Sequence, residues 1–339
     1  MQFAVNPKSE REALVHAHPR GAVNAVAVHP VPELCRFASG GERGAVRLWQ
    51  LRGEHVLVAS ADLGSTSCVD ALDFSPNDEG AHLAVALHRA NGDAYLRVLS
   101  GTTLEKEEKR RLGTGRVTAV RFSPSGATLV STCEDGGIYV ADVADGMYMK
   151  ASLLRPTAPG DGALPPAFVA RFDFSLDGRL LRTNDTTVRR VGYWALRGES
   201  GTPEELALVA TNDAMRDEEW SRWSCPYAWA LSNSHSTAAN RGAVTAAARA
   251  KEGRRGAPLL ATGDDEGCVR LWHWPCATAA AAQLGEALVG HGCAITDLVT
   301  ANSGDSSSHL EVGDGDGWSS LLLSAGGLDG SVIVWSVVE

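Results

Sequence analysis

Nowhere in the 339 residues is there an apolar run approaching the roughly 18 residues that a membrane-spanning helix needs. Met1–Glu10 lacks both the basic start and the apolar centre of a secretory signal, so the expectation is a soluble, cytoplasmic chain. Positive charge is scarce: 31 Lys and Arg stand against 41 Asp and Glu, a net charge of −10 that argues against nucleic acid or an anionic membrane as the main partner. No Cys-x-x-Cys pair occurs. The seven cysteines, Cys35, Cys68, Cys133, Cys225, Cys268, Cys276 and Cys293, are an odd number and read as reduced thiols of an intracellular protein. A zinc set of Cys268, His273 and Cys276 is disfavoured, because Cys268 and His273 have opposite parity on one strand and point to opposite faces. G-x-S-x-G, H-E-x-x-H, P-loop and dinucleotide fingerprints are all missing and the ten His are scattered. The expectation is therefore no enzyme, no catalytic residue, no cofactor and no metal.

What is present is a repeat. RFASGGERGAVRLWQL (Arg36–Leu51), LVSTCEDGGIYVADV (Leu129–Val143), LLATGDDEGCVRLWHW (Leu259–Trp274) and LLSAGGLDGSVIVWSV (Leu322–Val337) each join two strands by a tight Gly-containing turn and close on Trp or a substitute. Weaker copies are His82–Ser100 and Gly178–Leu196, so closing positions fall near 49, 99, 141, 194, 272 and 335. A spacing that brackets about 40–45 residues is that of a WD-type β-propeller blade. The fold class is thus all-β, one propeller over residues 1–339, with six countable blades and a seventh possible. Ahead of each pair stands a short alternating run, often ended by a Phe-Ser-Pro type turn, that supplies the inner strand: Ala22–Pro30, Ser67–Asp78, Arg116–Gly126, Phe168–Gly178, Gly242–Ala250 and Cys293–Ala301. The apolar run Gln2–Val5 is expected to pair beside Ser331–Val337 and close the ring, removing two sheet edges at once.

Several positions read as blade-stabilising. Ser39, Ser131 and Thr262 lie ten residues before Trp49, Ala141 and Trp272; Asp135 and Asp329 each precede Gly at a hairpin turn; Trp194 and Trp335 close two further pairs. His291 follows Gly290, the place of the structural Gly-His of WD repeats, where His, Ser or Thr, Asp and Trp form one buried hydrogen-bonded chain; Ser324 or Ala325 would complete it.

Three segments break the period. MRDEEWSRWSCPYAWAL (Met215–Leu231) concentrates Trp220, Trp223, Tyr227 and Trp229, as a satellite core or a partner-binding patch. ARAKEGRRG (Ala248–Gly256) offers Arg249, Lys251, Arg254 and Arg255 to an acidic partner, or is a solvated loop. Asn302–Trp318 is a polar insertion without the oxygen ligands of a calcium loop.

RDEEWSRWSCPYAWAL, followed by LLATGDDEGCVRLWHWPC, GHGCAITDL and LLSAGGLDGSVIVW, resembles the C-terminal propeller of the echinoderm microtubule-associated protein-like family, and FSPSGATLVSTCEDGGIYVADV resembles an upstream blade of it. The likeness runs from about residue 13 to 337. It implies a non-enzymatic interaction scaffold whose partners are tubulin or microtubule-associated proteins, in the cytoplasm, at the cytoskeleton or in a cilium. The family's trimerising coiled coil, basic stretch and first propeller have no match in these residues, so weak or adaptor-like cytoskeletal binding is what carries over, by a monomer. The competing expectation is a generic WD adaptor of a ubiquitin ligase or trafficking complex that ignores tubulin.

Overall fold

The computed structural model describes residues 8–15, 17–18, 21–31, 34–51, 56–76, 79–144, 147–148, 152–154, 169–185, 190–197, 205–208, 215, 217–228, 231, 243–249, 259–276, 283–301 and 319–338. Strand β1 (Lys8–Val15) leads. The first sheet follows as β2 (Val23–Val28), β3 (Arg36–Gly41), β4 (Ala45–Gln50) and β5 (Leu57–Asp62). The second is β6 (Ser67–Phe74), β7 (His82–Arg89), β8 (Asp93–Ser100) and β9 (Lys106–Thr114). In the third, β10 (Val117–Phe122), β11 (Thr128–Cys133) and β12 (Ile138–Ala144) are joined by the short β13 (Met147–Tyr148) and β14 (Ser152–Leu154). The fourth is β15 (Val169–Phe174), β16 (Leu180–Asp185), β17 (Arg190–Arg197) and β18 (Glu205–Leu208). The fifth is β19 (Val244–Arg249), β20 (Leu259–Asp264), β21 (Cys268–His273) and β22 (Gln283–Val289). The sixth is β23 (Ile295–Ala301), β24 (Ser319–Gly326) and β25 (Val332–Val338), with β1 on its outer edge. No helix is long and apolar enough to cross a membrane.

Each sheet is antiparallel, with apolar residues that must be covered on both faces, and the buried clusters show how. Val46, Leu48, Val69 and Leu72 join the first sheet to the second; Ala84, Leu96, Val120 and Phe122 join the second to the third; Val130, Val140, Phe172 and Leu181 join the third to the fourth. Leu271, Val269, Ile295 and Ile333 join the fifth to the sixth, and Val332, Val334, Val26 and Phe37 join the sixth back to the first. The circle of packed sheets is a β-propeller.

Closure differs in position from the sequence expectation. The strand beside β25 is β1, with Lys8 opposite Val338 and Val15 opposite Val332; Gln2–Val5 lies outside the described residues. The outermost strand of a blade borders solvent, so the charged stretch KSEREALV suits it better than an apolar run. The second sheet ends likewise on KEEKRRLGT.

The indoles fix the hairpins. Trp49 Nε1 donates to Ser39 Oγ at 2.9 Å, Trp194 Nε1 to Thr183 Oγ1, Trp272 Nε1 to Thr262 Oγ1 and Trp335 Nε1 to Ser324 Oγ, each of the last three at 2.8 Å. In the sixth sheet the chain continues: the Ser324 hydroxyl meets His291 Nε2 and His291 Nδ1 meets Asp329 Oδ2, both at 2.8 Å. With Nδ1–H donating to the carboxylate, Nε2 is the acceptor of the hydroxyl proton. Burial alone would raise the Asp329 carboxyl, but hydrogen bonds from Ser331 and His291 hold it below its ordinary range. The turns Asp135-Gly136 and Asp329-Gly330 place their Gly at φ of 76° and 67°, as hairpin turns of this kind require. In the third sheet, where Ala141 stands in the Trp position, Asp135 instead accepts from the Tyr139 hydroxyl at 2.9 Å, and Ser131 is buried. The first sheet has its own His: His18 Nε2 lies 3.1 Å from Ser39 Oγ.

Two predictions arise from closure and from His18. Removal of residues 1–15 strips β25 of its outer partner and is expected to yield protein that melts well below the full chain and self-associates through the bared edge, as read by calorimetry and size-exclusion chromatography. Burial, then the charge of Arg47, lowers the pKa of His18 from 6.5 to about 4. The unfolded chain takes up this proton first on acidification, so stability present above pH 6.5 falls as pH drops toward 4, with about 2 kcal/mol lost by pH 5. Urea midpoints at pH 7 and pH 5 read this loss, and His18→Gln is expected to flatten it.

Candidate interaction site at the channel mouth

Inner strands sit side by side around most of the ring: β23 with β2, β2 with β6, β6 with β10, β10 with β15, and β19 with β23. Between β15 and β19 the aromatic segment fills the gap. Leu176 N donates to Glu219 O at 2.8 Å and Ser221 N to Phe174 O at 2.9 Å, with Trp220 bridging Ser175 in antiparallel sense. The segment thereby pairs with the end of the inner strand of the fourth sheet. Its Trp220, Trp223, Cys225 and Ala228 pack with Tyr193 on one side and Ala247, Leu260 and Trp272 on the other.

Asp173 is the anchor. Its carboxylate accepts from Ser224 Oγ at 2.6 Å, from the amides of Ser224 at 3.1 Å and Cys225 at 3.3 Å, and from Arg182 Nη2 at 2.6 Å. Both charged side chains of the Asp173–Arg182 pair are fully buried. Burying such a pair is costly, and close contacts must offset the loss of water. The carboxylate is saturated, whereas Arg182 Nε and Nη1 have no hydrogen-bond partner; the guanidinium carbon instead lies 4.5 Å from the Trp220 ring centre and 4.3 Å from that of Trp223, where the indole faces stabilise the cation. Arg182 Nη2 also reaches the carbonyl of Arg222 at 3.4 Å. Burial, reinforced by Asp173, pushes the Cys225 thiol well above its usual range.

Trp220 and Trp223 are each 5% exposed, so their rings serve the interior. Trp223 meets Trp274 edge-on at 4.3 Å, and Trp220 lies 5.7 Å from Tyr193. Tyr227 is half-buried; Trp229 lies outside the described residues. Of the basic loop, Arg249 is half-buried with its guanidinium 4.6 Å from the Trp274 ring, while Lys251, Arg254 and Arg255 lie outside the described residues, as does the 302–318 insertion. The two singled-out segments do converge: Trp220–Ser224 and Arg249 line one cavity of about 280 Å³, together with ends of the inner strands. Arg222, unremarked in the sequence, is the exposed member of the segment, and its Nη2 reaches Asp73 Oδ1 on the second sheet at 2.6 Å.

Among the described residues one group has metal-ligand chemistry, Cys68, Asp70 and His88, with ligand atoms within 4.8 Å of one another. Asp70 is already engaged by His88 Nδ1 at 2.7 Å and Arg116 Nε at 3.3 Å, and burial raises the Cys68 thiol to about 11. The Arg116 guanidinium and a protonated thiol oppose a metal ion there. Cys268, His273 and Cys276 do not meet: His273 is exposed and Cys276 is wholly buried.

Replacing Arg182 by Ala leaves a buried carboxylate without its cation and opens the indole pair, a change expected to cost about 3–5 kcal/mol. Urea unfolding followed by Trp fluorescence reads it, and the double substitution Asp173→Asn with Arg182→Met is expected to recover part of the loss.

The chain matches the family model "Echinoderm microtubule-associated protein second beta-propeller" over residues 23–337. It is 25% identical over 307 residues to echinoderm microtubule-associated protein-like 3 of Mus musculus, covering 91% of this chain and 29% of that protein. The corresponding values for the Homo sapiens protein-like 3 are 26% over 308 residues, 91% and 30%, and for the Homo sapiens protein-like 2 they are 28% over 227 residues, 67% and 29%. The chain thus spans less than a third of the length of these relatives. A circle of packed antiparallel sheets, broken at one place by a Trp-rich wedge, and a match over nearly the whole chain agree that this protein belongs to the family of second β-propellers of echinoderm microtubule-associated proteins.

Proposed function

We propose that the chain is a non-enzymatic scaffold that binds tubulin or another microtubule-associated partner through the loops at the faces of its ring. The family match over residues 23–337 carries this reading, since the relatives are named for microtubule association. The architecture supports it physically: sheets that cover one another hold loop side chains in fixed positions, so affinity and specificity reside in the loops while the core supplies rigidity. At the channel mouth the contacts fall to the polar edge of the wedge, Ser221, Arg222 and Tyr227, and to the Arg249–Arg255 loop, with the buried indoles acting as their support. The cytoplasmic cytoskeleton is the corresponding location.

Titration of the 339-residue chain against soluble αβ-tubulin, and co-sedimentation with assembled microtubules at physiological salt, tests the reading. Saturable binding to either form is the expected outcome, weakened by Arg222→Ala in protein that circular dichroism shows to be folded. A folded, monodisperse chain that binds neither form overturns it in favour of an adaptor for other proteins.

A further inference from the structure

The cavity at the channel mouth is basic in an acidic protein. Its walls carry Arg121, Arg222 and Arg249 and, among the described residues, no Asp or Glu, although the chain bears a net charge of −10. Arg249 is stacked on Trp274. Of the other two guanidinium groups, Arg222 takes the carboxylate behind the wall: Asp73 gives Oδ1 to Arg222 Nη2 at 2.6 Å and Oδ2 to the amide of Phe122 at 2.8 Å. Arg121 is left with main-chain oxygens. Its Nη1 donates to Val120 O at 2.9 Å and Leu72 O at 3.3 Å, and its Nε has no hydrogen-bond partner, although the residue is only 6% exposed. The next acid, Asp297, is taken by Arg171 at 3.7 Å and by the amides of Val26 and Leu298. Burial, and next the charge of Arg222, push the Arg121 pKa below its ordinary value, against the opposing charges of Asp73 and Asp297.

A buried cation without a carboxylate is costly unless an anion is supplied from outside. We propose that this cavity is an oxyanion-binding site in which Arg121 and Arg222 together hold a carboxylate or phosphate group entering from the ring face. Guanidinium groups suit this role because their planar N–H donors match the spacing of oxyanion oxygens. Volume limits the ligand: about 280 Å³ lies below the roughly 300–1,000 Å³ of pockets for drug-sized molecules, so the site takes one anionic head group. Phe74, Trp220 and Trp223 in the walls suit the methylenes of an acidic side chain behind such a head. The inference is independent of the tubulin reading, since a small anion binds here whether or not tubulin does.

The full chain is titrated with inorganic phosphate and, separately, with an end-blocked hexaglutamate peptide, each compared with chloride at equal ionic strength, by thermal shift and calorimetry. Saturable binding of at least one probe is expected. Phosphate alone marks a free oxyanion as ligand, hexaglutamate alone marks peptide side chains, and both mark oxyanion chemistry open to either. Arg121→Met is expected to weaken binding about tenfold or more, the loss from removing one charge-assisted contact. Arg222→Gln does the same, while Arg110→Gln at an exposed position on β9 leaves it unchanged. The proposal is overturned if neither probe binds beyond chloride, or if Arg121→Met binds as the unsubstituted chain does. Should Arg121→Met fail to fold by circular dichroism, Arg222→Gln decides by the same criterion.

Discussion

Every sheet of the ring depends on its neighbours for cover, and that mutual dependence governs the rest of the molecule. Val46 and Leu48 of the first sheet are buried in one cluster with Val69 and Leu72 of the next. A circle of such debts closes only if no place is left empty. Two places are filled by something other than a meander against a meander. One is the outer edge of the sixth sheet, where β1 arrives from the start of the chain. The other is the gap between β15 and β19, where the Trp-rich segment lies.

The wedge solves its problem with charge as well as with area. A loop brought into an apolar gap carries peptide groups that need partners. Asp173 supplies acceptors for the Ser224 and Cys225 amides, and Arg182 neutralises Asp173 while lying against both indoles. The same arrangement turns the polar edge of the segment toward the channel, so that Arg222 crosses to Asp73. Packing of the gap and shape of the channel mouth are therefore one structure.

How much of this the sequence disclosed follows from where its signals are strong. Inner strands and Trp-closing hairpins are half-buried on a period of two and end in turns with written chemistry, so β2, β6, β10, β15, β19 and β23 fall inside the runs read for them. Outer strands such as β5, with LVASAD largely open to solvent, and β1, with KSEREALV, lack that alternation because one side of each has no sheet to face. An apolar run is therefore a poor guide to the closing strand. The aromatic cluster was visible as composition, but its partner Arg182 was not: an arginine in LLRTND reads as a surface residue, and only the fold shows it wholly buried. Arg222 and Asp73, 149 residues apart, meet through the ring alone.

The pairing of Lys8 with Val338 has a mechanical meaning. In an antiparallel pair whose first and last residues lie opposite each other, tension between the two ends of the described chain is delivered to one end of the ladder. The hydrogen bonds then bear load one after another, as in opening a zipper, instead of sharing it in shear. The seam that completes the ring is thus the element that yields first when the chain is pulled by its ends, and the remaining sheets stay folded until the sixth has lost its edge.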